Sequence, residues 1–420
     1  MGACEVRSAV VVGAGVVGRA CALRLRDRGI ETLLIAPRDP TAASFGNAGH
    51  IAIEQTAPLA SWPLIRSAPR RLFAVGGALD VRAPGAFARW LPRFLRAASH
   101  SRFRAGSAAL RGLLANAAPA WRTLARDIAQ PRVLREDGHV VLWESPRAAV
   151  HGRASWRAAD IGSASMADLD ASELDVYARL LRRRPAGGVR FAGTGQIVDL
   201  PRMLAALERA FVDRGGMLLE TRARALRLET GRAQVLLEGG DRRTADVVLV
   251  AAGVHSADLM ATIGPRPPMI AERGYHVHWA AHDWPERMPP VVFEDRSMIV
   301  TRFGDGLRAA GFVEFARPQS PSDPRKWAAL RRHAAALGLP TVGPGCEWVG
   351  CRPTLPDYLP AIGRSAVATN LYYAFGHQHL GLTLAPITAE AIAALVGGQA
   401  PPPVSLAAFD LARFSGGRPT

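Results

Sequence analysis

Three glycines near the start of the chain have the spacing of a phosphate-binding turn. They form a GxGxxG motif that follows the β-branched run Ser8–Val12 and opens a helix reaching about Arg28. Glycine lets the backbone approach a ligand closely, and a helix N-terminus carries partial positive charge. In this strand–turn–helix setting the motif predicts a site for the pyrophosphate of a dinucleotide. The predicted contact residues are Gly13, Gly15, Val16, Val17 and Gly18.

The acid that usually accompanies this motif is missing. A second strand, Thr32–Ile35, should be followed by Asp or Glu, about 20 residues into the motif, to bind the adenosine ribose. Ile35 and Ala36 stand there instead, and the nearest acid is Asp39. Either other groups hold the ribose or the affinity for the dinucleotide is reduced.

Two His-x-His pairs raise the question of a metal site. His276 with His278, and His377 with His379, would each place two rings on one face of a strand. Zinc sites need three or four such ligands, and neither pair has a carboxylate or cysteine beside it. We therefore predict that the protein binds no metal.

The composition excludes several classes of protein. The chain has 420 residues, 49% of them hydrophobic, and a net charge of +16. Lys326 is its only lysine, which excludes a Walker A loop. The charge alone would suggest nucleic acid, but no RNA- or DNA-binding signature accompanies it, so we predict no nucleic-acid partner. No uninterrupted apolar run reaches the roughly 18–20 residues of a membrane span, and no signal peptide precedes the first strand.

Four cysteines and the absence of a leader predict a cytoplasmic protein. Cys4, Cys21, Cys346 and Cys351 have no zinc spacing and are too few for a disulfide scaffold. We expect them to be free thiols.

Periodicity predicts alternating helices and strands along the chain. We expect one helical stretch over 107–129, helices over 201–213 and 324–336, and a last helix from about Ala385 to Val396. The tail from Pro401 is expected to be loosely ordered. Strands are predicted at Val140–Trp143, Met217–Glu220, Ala223–Glu229, Ala233–Glu238, Val247–Ala251, Tyr275–Trp279, Met298–Thr301, Leu307–Val313 and Leu371–Ala374.

Residues 58–104 carry half of the net charge. The stretch contains nine arginines and only one acid, Asp80. Aromatic residues recur at helical spacing between Arg89, Arg93 and Arg96. Arginines that attract anionic headgroups, together with Trp and Phe, suit a membrane surface. The alternative is a helical subdomain in which the aromatics are core and the arginines are solvated. Both interpretations remain open at this stage.

Four segments, in this order, resemble the FAD-dependent D-amino acid oxidase superfamily over nearly the whole chain. They are Ser44-Phe-Gly-Asn-Ala-Gly-His50, the strand Asp246–Gly253 ending in Ala-Ala-Gly, Gly350-Cys-Arg-Pro-Thr-Leu-Pro-Asp357, and Gly376-His-Gln-His-Leu-Gly-Leu-Thr383. The segments Glu54-Gln55, Pro58–Ser61 and Glu272–His276 are most similar to the bacterial branch that acts on D-hydroxyproline.

The resemblance implies an α/β fold with two interleaved domains. A Rossmann-like FAD-binding domain would comprise 1–60, 190–262 and 345–420. A mixed α/β substrate-binding domain would comprise 61–189 and 263–344, with a basic helical subdomain at 62–129.

The resemblance also implies the site residues. Arg352 would bind the substrate carboxylate, with His50, His379 and Tyr275 as further pocket groups. Met298 stands near the place where related oxidases have a pocket tyrosine. In addition to the first glycine turn, the residues expected to contact FAD are Ser44, Asn47, Ala48, Gly49, His50, Ala223, Gly253, Gly376, His377, Leu380, Gly381, Leu382 and Thr383.

The implied activity is oxidation of a D-amino acid of the D-proline or D-hydroxyproline type. A hydride would pass from Cα to flavin N5, and the electrons would pass to a quinone or another carrier, with the protein peripheral on the inner membrane. Two alternatives remain: a glycine- or sarcosine-type oxidase that uses O2, and a flavin-poor subunit of a multisubunit dehydrogenase.

Overall fold

The computed structural model describes residues 6–398 and 401–415. Cys4 lies outside these ranges, whereas Cys21, Cys346 and Cys351 are free thiols as predicted. The helices are α1 (Val16–Asp27), α2 (Trp62–Ser67), α3 (Pro84–Ala97), α4 (His100–Ala115), α5 (Ala117–Asp127), α6 (Pro146–Ala158), α7 (Ala171–Leu180), α8 (Leu200–Asp213), α9 (Ser256–Met260), α10 (Pro324–Leu337) and α11 (Gly381–Gly397).

Nine of the eleven predicted strands lie within two residues of their predicted bounds. The strands that begin at Ile270 and Gly306 are longer than predicted, and ten further strands have no predicted counterpart. The strands are β1 (Ser8–Val12), β2 (Glu31–Ile35), β3 (His50–Ile51), β4 (Leu79–Val81), β5 (Leu134–Arg135), β6 (His139–Trp143), β7 (Ser165–Asp168), β8 (Gly187–Ala192), β9 (Gly195–Ile197), β10 (Met217–Leu219), β11 (Ala223–Glu229), β12 (Arg232–Leu237), β13 (Arg242–Arg243), β14 (Val247–Val250), β15 (Ile270–Trp279), β16 (Val291–Phe293), β17 (Met298–Phe303), β18 (Gly306–Ala316), β19 (Cys346–Thr354), β20 (Ala361–Arg364) and β21 (Leu371–Phe375).

The first large sheet carries the predicted dinucleotide motif. Its strand order is β10-β2-β1-β14-β21-β20, and all neighbours are parallel except β21 and β20. Strands β1 and β14 are almost wholly apolar because both faces are covered. Helices α1, α8 and α11 cover one face, and the small sheet β11-β12-β13 covers the other. The α/β fold class is therefore confirmed.

The second large sheet is mainly antiparallel and has its own hydrophobic core. Its order is β19-β15-β18-β17-β16-β6-β8-β7, and β4 pairs with β18. Strand β19, which follows the predicted boundary at 345, pairs with β15 before the chain returns to the first sheet. The division into two domains is left as a prediction.

Two proline-containing segments differ from the predicted helices. The stretch 107–129 is split at Asn116, since the ring of Pro119 crowds the carbonyl of Ala115 and prevents one continuous helix. Helix α11 begins at Gly381, one turn before the predicted start, and contains Pro386. Pro386 has no N–H for the carbonyl of Leu382, which accepts instead from the indole Nε1 of Trp121 at 3.0 Å.

The described part of the C-terminal tail, 401–415, is packed rather than loosely ordered. Phe409 is fully buried, and the hydroxyl of Tyr373 donates to Asp410 Oδ1 at 3.0 Å. Arg413 Nε lies 2.6 Å from Asp357 Oδ2. These long-range contacts have no local signature in the Pro-rich sequence, which explains the wrong prediction.

The segment Gln378–Gly397 is long and apolar enough to cross a membrane, with a mean hydropathy of 1.7. This differs from our expectation, which considered only uninterrupted apolar runs. Within the protein, however, 78% of its most apolar window is buried. The helix packs against α1, α4 and α5 in the core.

In the basic helical segment, 58–104, the structure supports the interpretation that the aromatic residues are core and the arginines are solvated. Trp90 and Phe94 are buried, and Phe87 and Trp90 pack against Phe315 of β18. Arg89, Arg93 and Arg96 are exposed on the opposite side of α3. Of the exposed large apolar side chains of this region, Trp62, Leu72 and Val75 lie between 62 and 75, and Leu95 lies in α3.

Candidate active site

A cavity of about 1640 Å³ is lined by residues of both large sheets. Pockets for drug-sized ligands usually measure about 300–1,000 Å³. The cavity extends from the glycine turn after β1 to the start of α11. It is therefore large enough for an extended ligand together with a small substrate.

The glycine turn has the geometry that the motif requires. Gly13 has φ +112°, and a Cβ there would lie 2.4 Å from the carbonyl oxygen of Ala251. A Cβ on Gly18 would lie 1.7 Å from the carbonyl oxygen of Gly13, so only glycine lets α1 approach β1. Gly15 caps α1, whose first turn contains no acid, and the N–H of Val16 donates to Ser44 Oγ at 3.0 Å.

The segment from Ser44 to His50 contacts β18 of the second large sheet and leads into the small sheet β3-β9-β5. Asn47 Oδ1 accepts from the N–H of Gly49 at 2.8 Å, and Arg308 Nη1 donates to the carbonyl of Asn47 at 2.6 Å. Burial lowers the pKa of Arg308 to about 10. His50 then enters β3, which pairs with β9.

The segment from Gly376 to Thr383 leads from β21 into α11. Gly376 has φ +78°, and a Cβ would lie 2.6 Å from Leu355 Cδ1. His377 is buried, and its Nε2 lies 3.0 Å from Thr388 Oγ1. Thr383 Oγ1 accepts from the N–H of Ala52 at 3.0 Å, which joins this segment to the end of β3.

The structure separates the predicted cofactor residues into two groups. Those that line the cavity are Gly13, Gly15, Val16, Val17, Ser44, Asn47, Ala48, His50, Ala223, Gly253, His377, Gly381 and Leu382. Those that do not line it are Gly18, Gly49, Gly376, Leu380 and Thr383. Members of the second group hold the backbone of the first group in place, as the contacts of Gly18 and Thr383 show.

Arg352 lines the cavity but is not a solitary cation. Its Nη1 donates to Glu272 Oε1 at 2.9 Å, because β15 and β19 place the two residues directly opposite each other. Glu272 is buried and also accepts from Thr354 Oγ1 and the hydroxyl of Tyr358, each at 3.2 Å. Sequence reasoning quoted Glu272 only as part of a family segment and did not predict its role.

His379 lies beside this ion pair. Its Nε2 donates to Gln55 Oε1 at 2.5 Å, which leaves Nδ1 as the acceptor atom of the neutral ring. Burial lowers the pKa of His379 to about 4; Arg352 adds to the shift, and Glu272 opposes it. Burial, with a contribution from His379, lowers the pKa of His50 to about 3. Both rings are therefore neutral at pH 7.

Tyr275 is a predicted pocket residue, but its hydroxyl forms hydrogen bonds inside the protein. Its ring lines the cavity, but its hydroxyl donates to Glu314 at 3.0 Å and accepts from the N–H of Asp323 at 3.1 Å. Arg273 Nη2 also donates to this oxygen, at 2.9 Å. The expectation that the Tyr275 hydroxyl contacts substrate is therefore not supported, because alternation along β15 aims it toward α10. Met298 is buried against the cavity wall.

The His-x-His pairs do not converge on a common point. His276 Nδ1 lies 3.1 Å from the carbonyl of Gly46, whereas His278 Nε2 lies 3.3 Å from the carbonyl of Asp305. His377 and His379 have the separate partners described above.

A different histidine cluster is formed by two segments of the chain. His50 Nε2 lies 3.9 Å from Glu54 Oε2, and His139 Nε2 lies 4.0 Å from Glu54 Oε1. Burial raises the pKa of Glu54 to about 8. These are atoms of the kind that hold a divalent ion. The prediction of no metal weighed only the His-x-His pairs and stays untested for this cluster.

The residues present fit FAD. The glycine turn provides a backbone surface without side chains, and α1 presents its N-terminus to a pyrophosphate. Gly381 and Leu382, at the start of α11, line the other end of the same cavity and could donate backbone N–H groups to the ring.

Comparison with known proteins agrees with this assignment. The chain is 31% identical to a D-amino-acid oxidase of Bradyrhizobium diazoefficiens over 98% of this chain and 99% of that one. It is 30% identical to a D-amino acid dehydrogenase of Cereibacter sphaeroides over 93% and 92%. Among solved structures, glycine oxidase of Geobacillus kaustophilus superposes with a TM-score of 0.71 at 21% identity, over 97% of this chain and 98% of that one.

A family assignment follows from the length of the match as well as from the site. Residues 8–395 match the family described as DAO, FAD dependent oxidoreductase. That range contains the glycine turn, the Arg352–Glu272 pair and the start of α11. The chain therefore belongs to the DAO family of FAD-dependent oxidoreductases.

Proposed function

We propose that this protein oxidises the Cα–N bond of a D-amino acid of the D-proline or D-hydroxyproline type. The observation that carries the proposal is the Arg352–Glu272 pair on the cavity wall beside His379. A positive and a negative group side by side complement the carboxylate and the ammonium of one zwitterion. The names of the two relatives, both D-amino acid enzymes, support the same substrate class.

Arg352 is suited to bind the carboxylate. Glu272 and the carbonyl of Phe312 engage only Nη1, at 2.9 and 3.3 Å. In the described chain Nε and Nη2 make no hydrogen bond, and these two donors form the edge that binds a carboxylate with two parallel bonds. A Cβ on Gly274 would lie 2.3 Å from Nη2, so glycine at this position leaves room for the guanidinium.

Glu272 is suited to bind the substrate nitrogen. Its carboxylate accepts three hydrogen bonds in the protein and has capacity for about one more. A buried carboxylate beside a single arginine keeps the pair near neutral, so an entering zwitterion brings no net charge into it. Oxidation requires a neutral amine, and a neutral histidine such as His379 or His50 can take the proton.

The surroundings of the pair suit an apolar ring. The Tyr358 hydroxyl binds Glu272, and its ring packs edge-on against Trp90 and Phe94, with centroids 6.2 and 6.0 Å apart. Trp90 and Phe94 also line the cavity. Hydride transfer from Cα to flavin N5 is the chemistry that bound FAD supplies, and the imine product then hydrolyses or, for a cyclic substrate, remains a ring imine.

A quinone or carrier protein is the proposed electron acceptor, reached at a membrane surface. Support comes from the segment 62–75, where Trp62, Leu72 and Val75 are exposed among the exposed arginines Arg66, Arg70 and Arg71. Such a protein would be cytoplasmic and peripheral on the inner membrane. An oxidase that uses O2 is the second candidate, because the chain also resembles a D-amino-acid oxidase.

The test is anaerobic bleaching of the flavin by matched D- and L-amino acids, including both hydroxyproline epimers at Cα. We expect bleaching by D-proline-type substrates and none by the L-epimers. Bleaching by L-amino acids alone would contradict the proposal. In air, one peroxide formed per imine product would favour the oxidase, and peroxide far below that ratio favours the dehydrogenase.

A further inference from the structure

Glu220 lies at the edge of the first sheet where the missing ribose acid would act. Strand β10 is parallel to β2, with Leu219 opposite Ile35, so Glu220 is level with Ala36. The N–H of Ala36 donates to the carbonyl of Leu219 at 3.2 Å, which extends the register to this point. Neighbouring strands are about 4.8 Å apart, a distance that a glutamate side chain can span.

The carboxylate of Glu220 is available to a ligand at the adenosine end of the cavity. Glu220 lines the cavity together with Ile35, Ala36, Ala223 and Gly253. The carboxyl ends of parallel strands are where dinucleotides bind in such sheets. The Glu220 side chain is 45% exposed, so its carboxylate keeps acceptor capacity that a buried, saturated group would lack.

Arg38 does not prevent this role. Arg38 Nε and Nη2 lie 2.8 and 2.6 Å from the same oxygen, Oε1, of Glu220. Within the described chain the other oxygen, Oε2, has no hydrogen-bond partner. The Arg38 side chain is 83% exposed, and exposed ion pairs of this kind are weak. The ion pair therefore orients the Glu220 carboxylate and leaves Oε2 able to accept hydrogen bonds from a ligand.

Asp39, the nearest acid in sequence to the end of β2, is turned toward its own loop. Its Oδ1 accepts from both the N–H and the hydroxyl of Thr41, at 2.9 and 2.6 Å. This is a local turn that binds the loop together. Asp39 is therefore the weaker candidate and provides a control.

We propose that Glu220 binds the ribose hydroxyls of the adenosine of FAD, replacing from β10 the acid that is absent after β2. One carboxylate can accept hydrogen bonds from two adjacent hydroxyls. It can do so from the end of β10 as well as from the end of β2. The inference depends on the FAD-binding fold and not on the proposed amino acid substrate.

The test measures FAD affinity rather than turnover. Holoprotein is dialysed to equilibrium against FAD, and against an FAD analogue whose adenosine lacks both ribose hydroxyls, and bound flavin is measured by absorbance. We expect Glu220→Gln to raise the Kd for FAD by about tenfold or more, the effect of losing a charge-assisted hydrogen bond. We also expect wild type to bind the analogue at least about tenfold more weakly than FAD, and the variant to bind both equally.

Asp39→Asn is the matched control and should leave the Kd for FAD within about twofold. The proposal is overturned if wild type binds FAD and the analogue equally, because that comparison needs no variant to fold. It is also overturned if Glu220→Gln binds FAD as wild type does, or if Asp39→Asn, rather than Glu220→Gln, abolishes the preference for FAD over the analogue.

Discussion

The ammonium of Lys326 lies 2.7 Å from the carboxylate of Asp80, although 246 positions separate the two residues in the chain. Lys326 is the only lysine of the protein and is fully buried. It also contacts Glu314 and, at 3.2 Å, Asp323. These carboxylates could otherwise form a cation site, and the ammonium lies among them. The network attaches β4 and the basic helical segment to the second sheet.

We expect Lys326→Met to lower the free energy of unfolding by about 3–5 kcal/mol, because three carboxylates would remain close together without their cation. Urea unfolding of the holoprotein measures this. Arg325→Met is the control, since Arg325 binds the same Asp323 at 2.8 Å from the exposed side of α10. Equal losses of stability in the two variants would contradict a special role for the buried lysine.

Gly18→Ala should abolish FAD retention, because its Cβ would lie 1.7 Å from the carbonyl oxygen of Gly13. The turn would have to move away from the pyrophosphate site. Flavin absorbance per chain after gel filtration provides the measurement. Gly85→Ala, near the start of α3, has no atom within 4 Å of the added methyl group and should retain full flavin. Full occupancy in Gly18→Ala would show that the turn is not the cofactor site.

Arg352→Lys should weaken binding of the amino acid by at least about tenfold, or ~1.4 kcal/mol. Lysine keeps the charge but loses the planar pair of donors. An anaerobic titration of the visible flavin spectrum with D-proline gives the dissociation constant. Arg111→Lys, a conservative change in an exposed ion pair with Asp160, should not alter it. An unchanged constant in Arg352→Lys would remove Arg352 from the substrate site.

The protein should lose stability as the pH falls below about 6.5, in part through His377. Burial lowers the pKa of this ring to about 3 in the folded state, from a usual value of 6.5. Between these two values the unfolded chain binds more protons, so the contribution is complete above pH 6.5 and decreases toward pH 3, by up to ~1.4 kcal/mol per pH unit.

Thermal melts of His377→Gln across this range should show a shallower acid slope than wild type. Glutamine can still bind Thr388 but does not titrate. The same change at His100, an exposed histidine, should leave the slope unaltered. Parallel slopes in wild type and His377→Gln would contradict a neutral buried imidazole at this position.

Flotation with anionic vesicles tests the proposed membrane surface. We expect wild type to float and a variant with Arg66, Arg70 and Arg71 replaced by Glu to remain at the bottom, since these exposed arginines lie among Trp62, Leu72 and Val75 and the glutamates would repel anionic headgroups. The control has the same change of charge at three other exposed arginines, Arg147, Arg179 and Arg183. Equal flotation of both variants would rule out this surface.

The sequence by itself determined the local parts of the molecule. The run Ser8–Val12, the glycine turn and α1 were all predictable, because alternation, φ preferences and helix periodicity act over a few neighbouring residues. The resemblance of four segments then indicated FAD and the importance of Arg352. Each segment is a local pattern of neighbouring residues, although the four segments lie far apart in the chain.

Only the tertiary structure decided which distant residues meet. Strand register placed Glu272 against Arg352 and Glu220 level with Ala36, while the side-chain alternation of β15 directed the Tyr275 hydroxyl to Glu314. A shift of one residue in either strand would change each of these relationships, and nothing local in the sequence specifies the register between segments so far apart. Packing likewise buried Trp90 and Phe94, because an aromatic helix face has the same sequence pattern whether it meets a sheet or a membrane.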